Sequence, residues 1–273
     1  MNKYKVAVIQ LNSGENKEEN LIEIDKYLCE AAKEGAKLAA LPESSNYCGK
    51  NVIDMAEDIE NSKSLLFFKE AAKKYNIYIH CGTIYVNKNG SKKPYNMSFL
   101  IDPKGGVLAK YAKIHPFDVT VENGPDVTES QRITKGDSIV VYESEDMGKF
   151  GFSVCYDIRF PELFRLMALK GAEVFFTPAD FTYKTGQAHW EPILRARAIE
   201  NGCYVIAPCQ TGVKAEYRSN GNSMIISPWG DIIAKADDEP CIIYGEIDIE
   251  YLKSVRKQIN MFENRREDIY NLF

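Results

Sequence analysis

Histidine is scarce in this chain: there are three, His80, His115 and His189, each far from the others. None has the close spacing of zinc ligands, so no metal is expected. Basic tracts are missing too, and the net charge is −5. Both features argue against nucleic acid as a partner. No apolar run approaches the ~20 residues that a membrane-spanning helix needs, so no membrane association is expected. Met1 to Tyr4 leads straight into a strand-like stretch, too short and interrupted for a signal peptide. The seven cysteines, Cys29, Cys48, Cys81, Cys155, Cys203, Cys209 and Cys241, are odd in number and include no Cys-x-x-Cys. That pattern predicts a reduced, cytoplasmic protein without a disulfide framework. No Ser/Gly linker or low-complexity segment divides the chain. What is present is ordinary for a soluble globular protein: 273 residues, 45% hydrophobic and 27% charged. Such a chain can bury a sizeable core without cross-links.

Two similar runs of elements follow one another. Residues 5–11 read as an apolar strand. Residues 17–33 have helical spacing, with Leu21, Ile24, Leu28, Ala31 and Ala32 available for one face. Residues 36–41 read as a short buried strand closed by Pro42-Glu43, 62–74 as a helix, and 77–86 as a strand. Residues 96–102, a Pro103-Lys104-Gly105-Gly106 turn and 107–111 read as a hairpin. The second half repeats the order. It has a strand at 150–155, a helix at 162–170 and a strand at 173–177. A helix at 189–201 turns Ile193, Leu194, Ala196 and Ile199 toward the core, and a strand follows at 203–209. A second hairpin, 223–235, can be laid over 98–110 without a gap.

This repeat predicts one pseudo-symmetric domain over residues 1–273, with a chance likeness of two βαβ units as the alternative. Each half alone leaves a sheet face uncovered. Packing the two sheets together, with helices outside, buries both. The expected fold is therefore α/β, a four-layer α-β-β-α sandwich.

The chemistry centres on Cys155, in Phe150-Gly151-Phe152-Ser153-Val154-Cys155-Tyr156-Asp157. A thiol at the end of a strand and just before a helix is rigidly held, which suits a nucleophile. The alternative is a small buried hydrophobe. Glu43 closes the second strand, so a pseudo-twofold packing lets it meet Cys155 in one crevice. A partly desolvated carboxylate there suits acid–base work, and a cap or surface turn is the other reading. Lys113 follows the first hairpin. An ammonium near the thiol favours thiolate and can hold an oxyanion, whereas most lysines are simply solvated. His115 and His189 are the candidates for a Cys-His pair.

Six segments then carry a resemblance. Leu41-Pro42-Glu43, Lys110-Tyr111-Ala112-Lys113-Ile114-His115 and Ser153 to Leu163 resemble the Glu, Lys and Cys motifs of the nitrilase superfamily of carbon–nitrogen hydrolases. Ala188-His189-Trp190-Glu191 with Leu194 to Glu200, Ser227-Pro228-Trp229-Gly230, and Phe262 to Tyr270 resemble its Nit branch. The resemblance covers essentially the whole chain. It implies an αββα sandwich that forms dimers or larger assemblies and uses no cofactor. It also implies Cys155 as nucleophile, Glu43 as general base and acid, Lys113 as oxyanion stabiliser, and Glu129 as a second, positioning carboxylate. The backbone N–H of Tyr156 is the other implied oxyanion donor.

Tyr156-Asp157 after the cysteine, where nitrilases usually have Trp-Glu, points to amidases. The branch acts on short amides that bear carboxylates, including deaminated glutathione and α-ketoglutaramate. Gln210-Thr211-Gly212 and Arg218-Ser219-Asn220-Gly221-Asn222-Ser223 are closer to the type that takes deaminated glutathione, which typically reads Arg-Ser-Tyr-Gly-His-Ser there. Asn220 and Asn222 depart from that pattern. Arg159, Lys184 and Arg218 are candidates to receive a substrate carboxylate, and Arg159 is equally a candidate ion-pair partner of Glu162. A carbamoyl hydrolase and a non-catalytic scaffold are the rival readings. The tail, 256–273, carries Ile259, Met261, Phe262, Ile269, Tyr270 and Phe273 among charges. It is expected to pack across a homodimer interface.

Overall fold

In a computed structural model that describes residues 3–88, 90–122 and 126–269, the first half builds one sheet and two helices. In chain order these are β1 (Lys3–Gln10), α1 (Lys17–Lys33), β2 (Leu38–Ala40), β3 (Glu57–Asp58), α2 (Lys63–Tyr75), β4 (Tyr78–His80), β5 (Ile84–Asn87), β6 (Tyr95–Ile101) and β7 (Val107–Ala112). A small ribbon of β8 (Asp118–Thr120) and β9 (Asp126–Thr128) follows. The second half comprises β10 (Val141–Ser144), β11 (Gly148–Phe152), α3 (Pro161–Leu169), β12 (Val174–Phe176), α4 (Tyr183–Asn201), β13 (Tyr204–Ala207), β14 (Met224–Ile226), β15 (Ile232–Lys235), β16 (Cys241–Asp248) and α5 (Ile249–Gln258).

Local chemistry explains the helix limits. The Asn16 side chain caps α1 by accepting from the N–H groups of Glu18 and Glu19, and Ile24, Leu28 and Ala31 form its buried stripe. Ser62 caps α2 in the same way through Leu65 N, and Asn76 ends it in the left-handed region.

The repeat is realised strand for strand. Sheet one contains the path β16-β1-β2-β4-β6-β7, and sheet two runs β10-β11-β12-β13-β14-β15. In both, the pairings are antiparallel, parallel, parallel, antiparallel, antiparallel. Both hairpins also shift register at the matching place, Leu100/Ile101 and Ile225/Ile226. Alternation along β1 sorts the layers. Tyr4, Val6 and Val8 pack with Phe150, Phe152 and Phe176 between the sheets, while Ala7 and Ile9 pack with Ile24, Leu28 and Phe68 under α1 and α2. On the far side of sheet two, Phe164 of α3 meets Phe175 of β12 edge-on at 5.1 Å.

Several elements differ from the expected ones. The strand at 77–86 is two strands, because the chain turns at Gly82 (φ +67°). A Cβ there would lie 1.8 Å from the Pro42 carbonyl oxygen, so only glycine permits the close approach. The strand at 150–155 ends at Phe152, and Cys155 instead opens a 3-10 turn, Cys155–Arg159. Helix α4 starts six residues earlier than its apolar spacing suggests, which leaves His189 in mid-helix. Leu194, Arg197 and Ala198 are buried, and Ala196 and Ile199 are exposed. Arg197 occupies the inner face because its Nε donates to the Ile158 carbonyl at 2.9 Å.

Strands β10 and β16 were not foreseen. Each follows one half's hairpin yet pairs with the first strand of the other half. The tail also lies partly on its own subunit: Phe262 packs on the core beneath Arg256 at 5.0 Å. Ile259 and Ile269 stay exposed, and Tyr270 and Phe273 lie outside the described residues. Among the described residues no helix is long and apolar enough to cross a membrane.

Candidate active site

Glu43 lies just past β2, in a segment pinned by the turn at Gly82. Leu41 N donates to His80 O at 3.0 Å, Ser44 N to Thr83 Oγ1 at 2.8 Å, and Ser45 N to Thr83 O at 3.1 Å. Glu43 is 3% exposed and its side chain is fully engaged. Its Oε1 accepts from Asn96 Nδ2 at 2.8 Å and from Lys113 Nζ at 2.9 Å. Its Oε2 accepts from the backbone N–H of Asp180 at 2.9 Å.

Lys113 follows β7 and is 2% exposed. Its backbone N–H donates to Asn96 O at 3.0 Å, so Asn96 positions both the lysine main chain and the glutamate side chain. The ammonium also donates to Glu129 Oε2 at 2.8 Å. Burial alone lowers a lysine pKa, but the flanking Glu129 and Glu43 carboxylates outweigh it and hold Lys113 well above its ordinary value. Lys113 is thus a fixed cation between two carboxylates. Glu129 is itself held, because Oε2 accepts from Phe117 N at 2.6 Å.

Cys155 has φ +50°, a left-handed conformation that costs a non-glycine residue free energy and occurs disproportionately at functional sites. Two anchors hold it there. Its own N–H donates to the Pro178 carbonyl at 2.9 Å. Two residues on, the buried Asp157 accepts from Val154 N at 2.8 Å, Tyr111 OH at 2.6 Å, His115 N at 3.1 Å and His115 Nδ1 at 2.7 Å. The thiol is 6% exposed. Burial and then the Glu43 charge push its pKa well above the ordinary thiol range, against the opposing pull of Lys113. It therefore rests as a neutral thiol and needs a base in order to react.

Glu43, Lys113, Glu129 and Cys155 all line one cavity of about 620 Å³. Lys184 and Arg218 line it as well, whereas Tyr156 and Arg159 are not among its lining residues. Arg159 does not pair with Glu162, which is exposed; it lies 3.3 Å from His189 Nδ1 and over the Phe181 ring. The two candidate histidines are absent from the lining. His115 is engaged by Asp157 and stacks on Phe160 at 3.6 Å, and His189 is exposed beside Arg159. Asn220 and Asn222 also lie off the cavity. Asn220 accepts from Gln187 Nε2 at 3.1 Å, and the Asn222 carbonyl accepts from Trp190 Nε1 at 2.8 Å. The Asn220 side chain is thus absorbed in packing against α4, while Asn222 Nδ2 donates to Asn220 O at 2.8 Å and to Asp238 Oδ1 at 3.3 Å.

Sequence reasoning missed Asn96, Asp180, Tyr85 and Arg132. Asn96 and Asp180 hold Glu43, while Asp180, Tyr85 and Arg132 line the cavity. No local pattern marks them, since strand pairing or the return of a distant loop brings each into place. Asp157 was within sight as a neighbour of Cys155, and a carboxylate two residues from that thiol was the available signal. Among the described residues no group of three or more His, Cys, Asp or Glu side chains could hold a metal ion.

Residues 5–257 match the carbon–nitrogen hydrolase family. A deaminated glutathione amidase from Synechocystis sp. is 40% identical over 273 residues, covering 97% of this chain and 99% of that protein. The omega-amidase NIT2 of Xenopus tropicalis is 39% identical over 275 residues, covering 100% of this chain and 98% of that protein. The crystal structure of Saccharomyces cerevisiae Nit3, from branch 10 of the nitrilase superfamily, superposes with a TM-score of 0.88 at 32% identity and 97% coverage of each chain. A match that runs nearly end to end, with relatives of this identity along the same length, makes this protein a member of the carbon–nitrogen hydrolase family.

Proposed function

We propose that this carbon–nitrogen hydrolase is a thiol amidase whose substrates are small linear amides that bear a carboxylate. Glu43 takes the Cys155 proton as sulfur attacks the amide carbonyl carbon. Lys113 and the Tyr156 backbone N–H hold the oxyanion that develops. The tetrahedral adduct collapses, the C–N bond breaks, and the proton on Glu43 leaves with ammonia. The remaining thioester is attacked by water, which gives a proton to Glu43. The C–S bond then breaks, the acid departs, and that proton returns to the Cys155 sulfur. Glu129 positions Lys113 throughout.

The observation that carries this reading is the meeting of Glu43 and Lys113 at 2.9 Å, both buried, in the cavity that Cys155 lines. The cavity lining holds Glu43 beside Cys155 and neither His115 nor His189, which fits a general-base mechanism and does not fit a thiolate–imidazolium pair. Relatives named as a deaminated glutathione amidase and as an omega-amidase are similar to nearly the same degree, at 40% and 39% identity, so the substrate is proposed by class. Deaminated glutathione is favoured within that class by the residues Gln210-Thr211-Gly212 and Arg218-Ser219.

The test is ammonia release from a panel of amides, nitriles and carbamoyl compounds, with Cys155→Ala as control. The panel includes deaminated glutathione and α-ketoglutaramate. Loss of release in the variant with an unchanged circular dichroism spectrum supports the reading, and unchanged release sinks it. A homodimer is part of the proposal, supported by the exposed Ile259 and Ile269 of the tail. A strictly monomeric mass in light scattering at micromolar concentration refutes that part.

A further inference from the structure

We propose that Arg132 receives the substrate carboxylate and so selects anionic amides over neutral ones, an inference that rests on the amidase reading above. It begins with a short turn. Glu129–Gln131 form a 3-10 turn, and the Arg132 N–H closes it on the Glu129 carbonyl at 2.8 Å. A 3-10 helix has three residues per turn, so side chains at i and i+3 eclipse. Glu129 and Arg132 therefore leave the turn on the same side, and both line the cavity. Glu129 runs on to Lys113, beside the reacting groups. Arg132 stands further along, by about 6 Å at a rise of ~2 Å per residue. That offset suits a group at the far end of a short substrate.

Six cations line the cavity: Lys50, Lys113, Arg132, Lys184, Lys214 and Arg218. Five are engaged. Lys50 pairs with Glu216 at 2.7 Å, and Lys113 with its two glutamates. Lys184 donates to the Glu122 carbonyl. Arg218 pairs with Asp238 at 2.8 Å and lies over the Tyr183 ring at 4.4 Å. Lys214 donates to Asn12 Oδ1, Ser13 O and Gln210 Oε1, so it adds charge but has its donors committed. The Arg132 guanidinium makes no hydrogen bond or ion pair with any described residue.

Arg132 is also half-buried, so water serves it only in part. Glu216 is within its electrostatic reach, since the Glu216 carboxyl is held below its ordinary value first by Lys50 and, more weakly, by Arg132. Lys50 keeps Glu216 occupied, which leaves the guanidinium fork open. A planar fork of N–H donors matches a carboxylate in a two-pronged fashion that an ammonium cannot reproduce. The earlier candidates Arg159, Lys184 and Arg218 lack this combination of place and free donors.

Glutaramate and pentanamide share the amide and the methylene chain and differ only in a terminal carboxylate against a methyl. Arg132→Gln is expected to lower kcat/KM for glutaramate about tenfold to a hundredfold, mainly through KM. That loss should exceed the loss on pentanamide by at least about tenfold. Arg132→Lys should recover only part of it. Equal losses on the two amides, or no loss on glutaramate, overturn the proposal. A binding measurement separates it from the amidase reading. Glutarate is titrated calorimetrically into Cys155→Ala protein and into Cys155→Ala/Arg132→Gln protein. Binding weakened about tenfold or more in the double variant supports the role of Arg132 even if wild type releases no ammonia. Equal affinities, or no binding to either protein, overturn it.

Discussion

The backbone N–H of Asp180 donates to Oε2 of Glu43 at 2.9 Å, and this bond joins the two halves of the repeat. Glu43 follows β2 in the first half, and Asp180 follows β12 in the second. Two residues before Asp180, the Pro178 carbonyl accepts from Cys155 N at 2.9 Å. One short segment, 178–180, thus positions both the carboxylate and the thiol. The placement of this carboxylate against this thiol depends on how the two sheets dock, and the groups that segment 178–180 offers to them, Asp180 N and Pro178 O, are main-chain atoms.

Glu43→Gln tests this directly. The substitution keeps the shape but turns one oxygen into an N–H donor. Asn96, Lys113 and Asp180 are all donors aimed at Glu43, so either orientation of the amide sets donor against donor. Ammonia release is expected to fall by about 10²- to 10⁴-fold through loss of the base. Stability should drop by about 1–3 kcal/mol through unmet buried donors. Urea unfolding and steady-state kinetics on one preparation check both, and a variant with wild-type turnover rules out Glu43 as the base.

Lys113→Met separates charge from packing. Removing the ammonium leaves Glu43 and Glu129 close together without a cation, and both are largely buried. Breaking a buried pair in this way costs about 3–5 kcal/mol. The double variant Lys113→Met/Glu129→Gln removes one of the repelling carboxylates and should recover part of that loss. Denaturant midpoints measure it; a double variant less stable than the single one would show that repulsion is not the cause.

Much of this arrangement was legible in the sequence where the signal was local. Helix α1 was readable from Ile24, Leu28 and Ala31 at helical spacing, and Glu43, Lys113 and Cys155 sit in recognisable segments. The two hairpins aligned residue for residue and even share the position of their register shift. Illegible features depend on distant partners. Strand β16 pairs with β1 from the opposite end of the chain, and an apolar run does not name its partner. The strand at 77–86 reads as continuous because the constraint on Gly82 comes from Pro42, in the distant segment that follows β2. Nothing local in the sequence marks Arg132, because only the turn that follows Glu129 brings it to the cavity.

Stability should be greatest between about pH 6.5 and 8.5, the ordinary values for unfolded histidine and cysteine. His80 is buried between the sheets, stacks on Phe176 at 4.2 Å, and has its pKa lowered by burial to about 3. The unfolded chain takes up that proton near pH 6.5. The stabilisation is therefore complete above pH 6.5 and is lost as pH falls toward 3, by about 1.4 kcal/mol per unit. On the alkaline side burial raises Cys81 to about 12 and Cys203 to about 11. Their contribution is complete below about pH 8.5 and is lost as pH rises toward those values. Urea midpoints at pH 4.5, 7.5 and 9.5 test both slopes. A His80→Gln variant should lose less than wild type between pH 7.5 and 4.5, and an equal loss contradicts the assignment.

Asp157→Asn should cost activity with the reacting groups left intact. The carboxylate gathers donors from Val154, Tyr111 and His115, and so anchors the chain on both sides of a cysteine held at φ +50°. An asparagine can accept through one oxygen only, and its amide must face a donor. The left-handed conformation is intrinsically unfavourable for cysteine, by about 1–3 kcal/mol, so a weakened anchor lets the turn relax. A displacement of about 1 Å at the sulfur is enough to lower turnover roughly a hundredfold. The expected result is a fall in kcat with little change in KM, because the cavity walls that hold substrate come from other segments. Tyr111→Phe, which removes a single donor, should give a smaller fall in the same direction. A rise in KM at constant kcat would instead make Asp157 a determinant of the binding site.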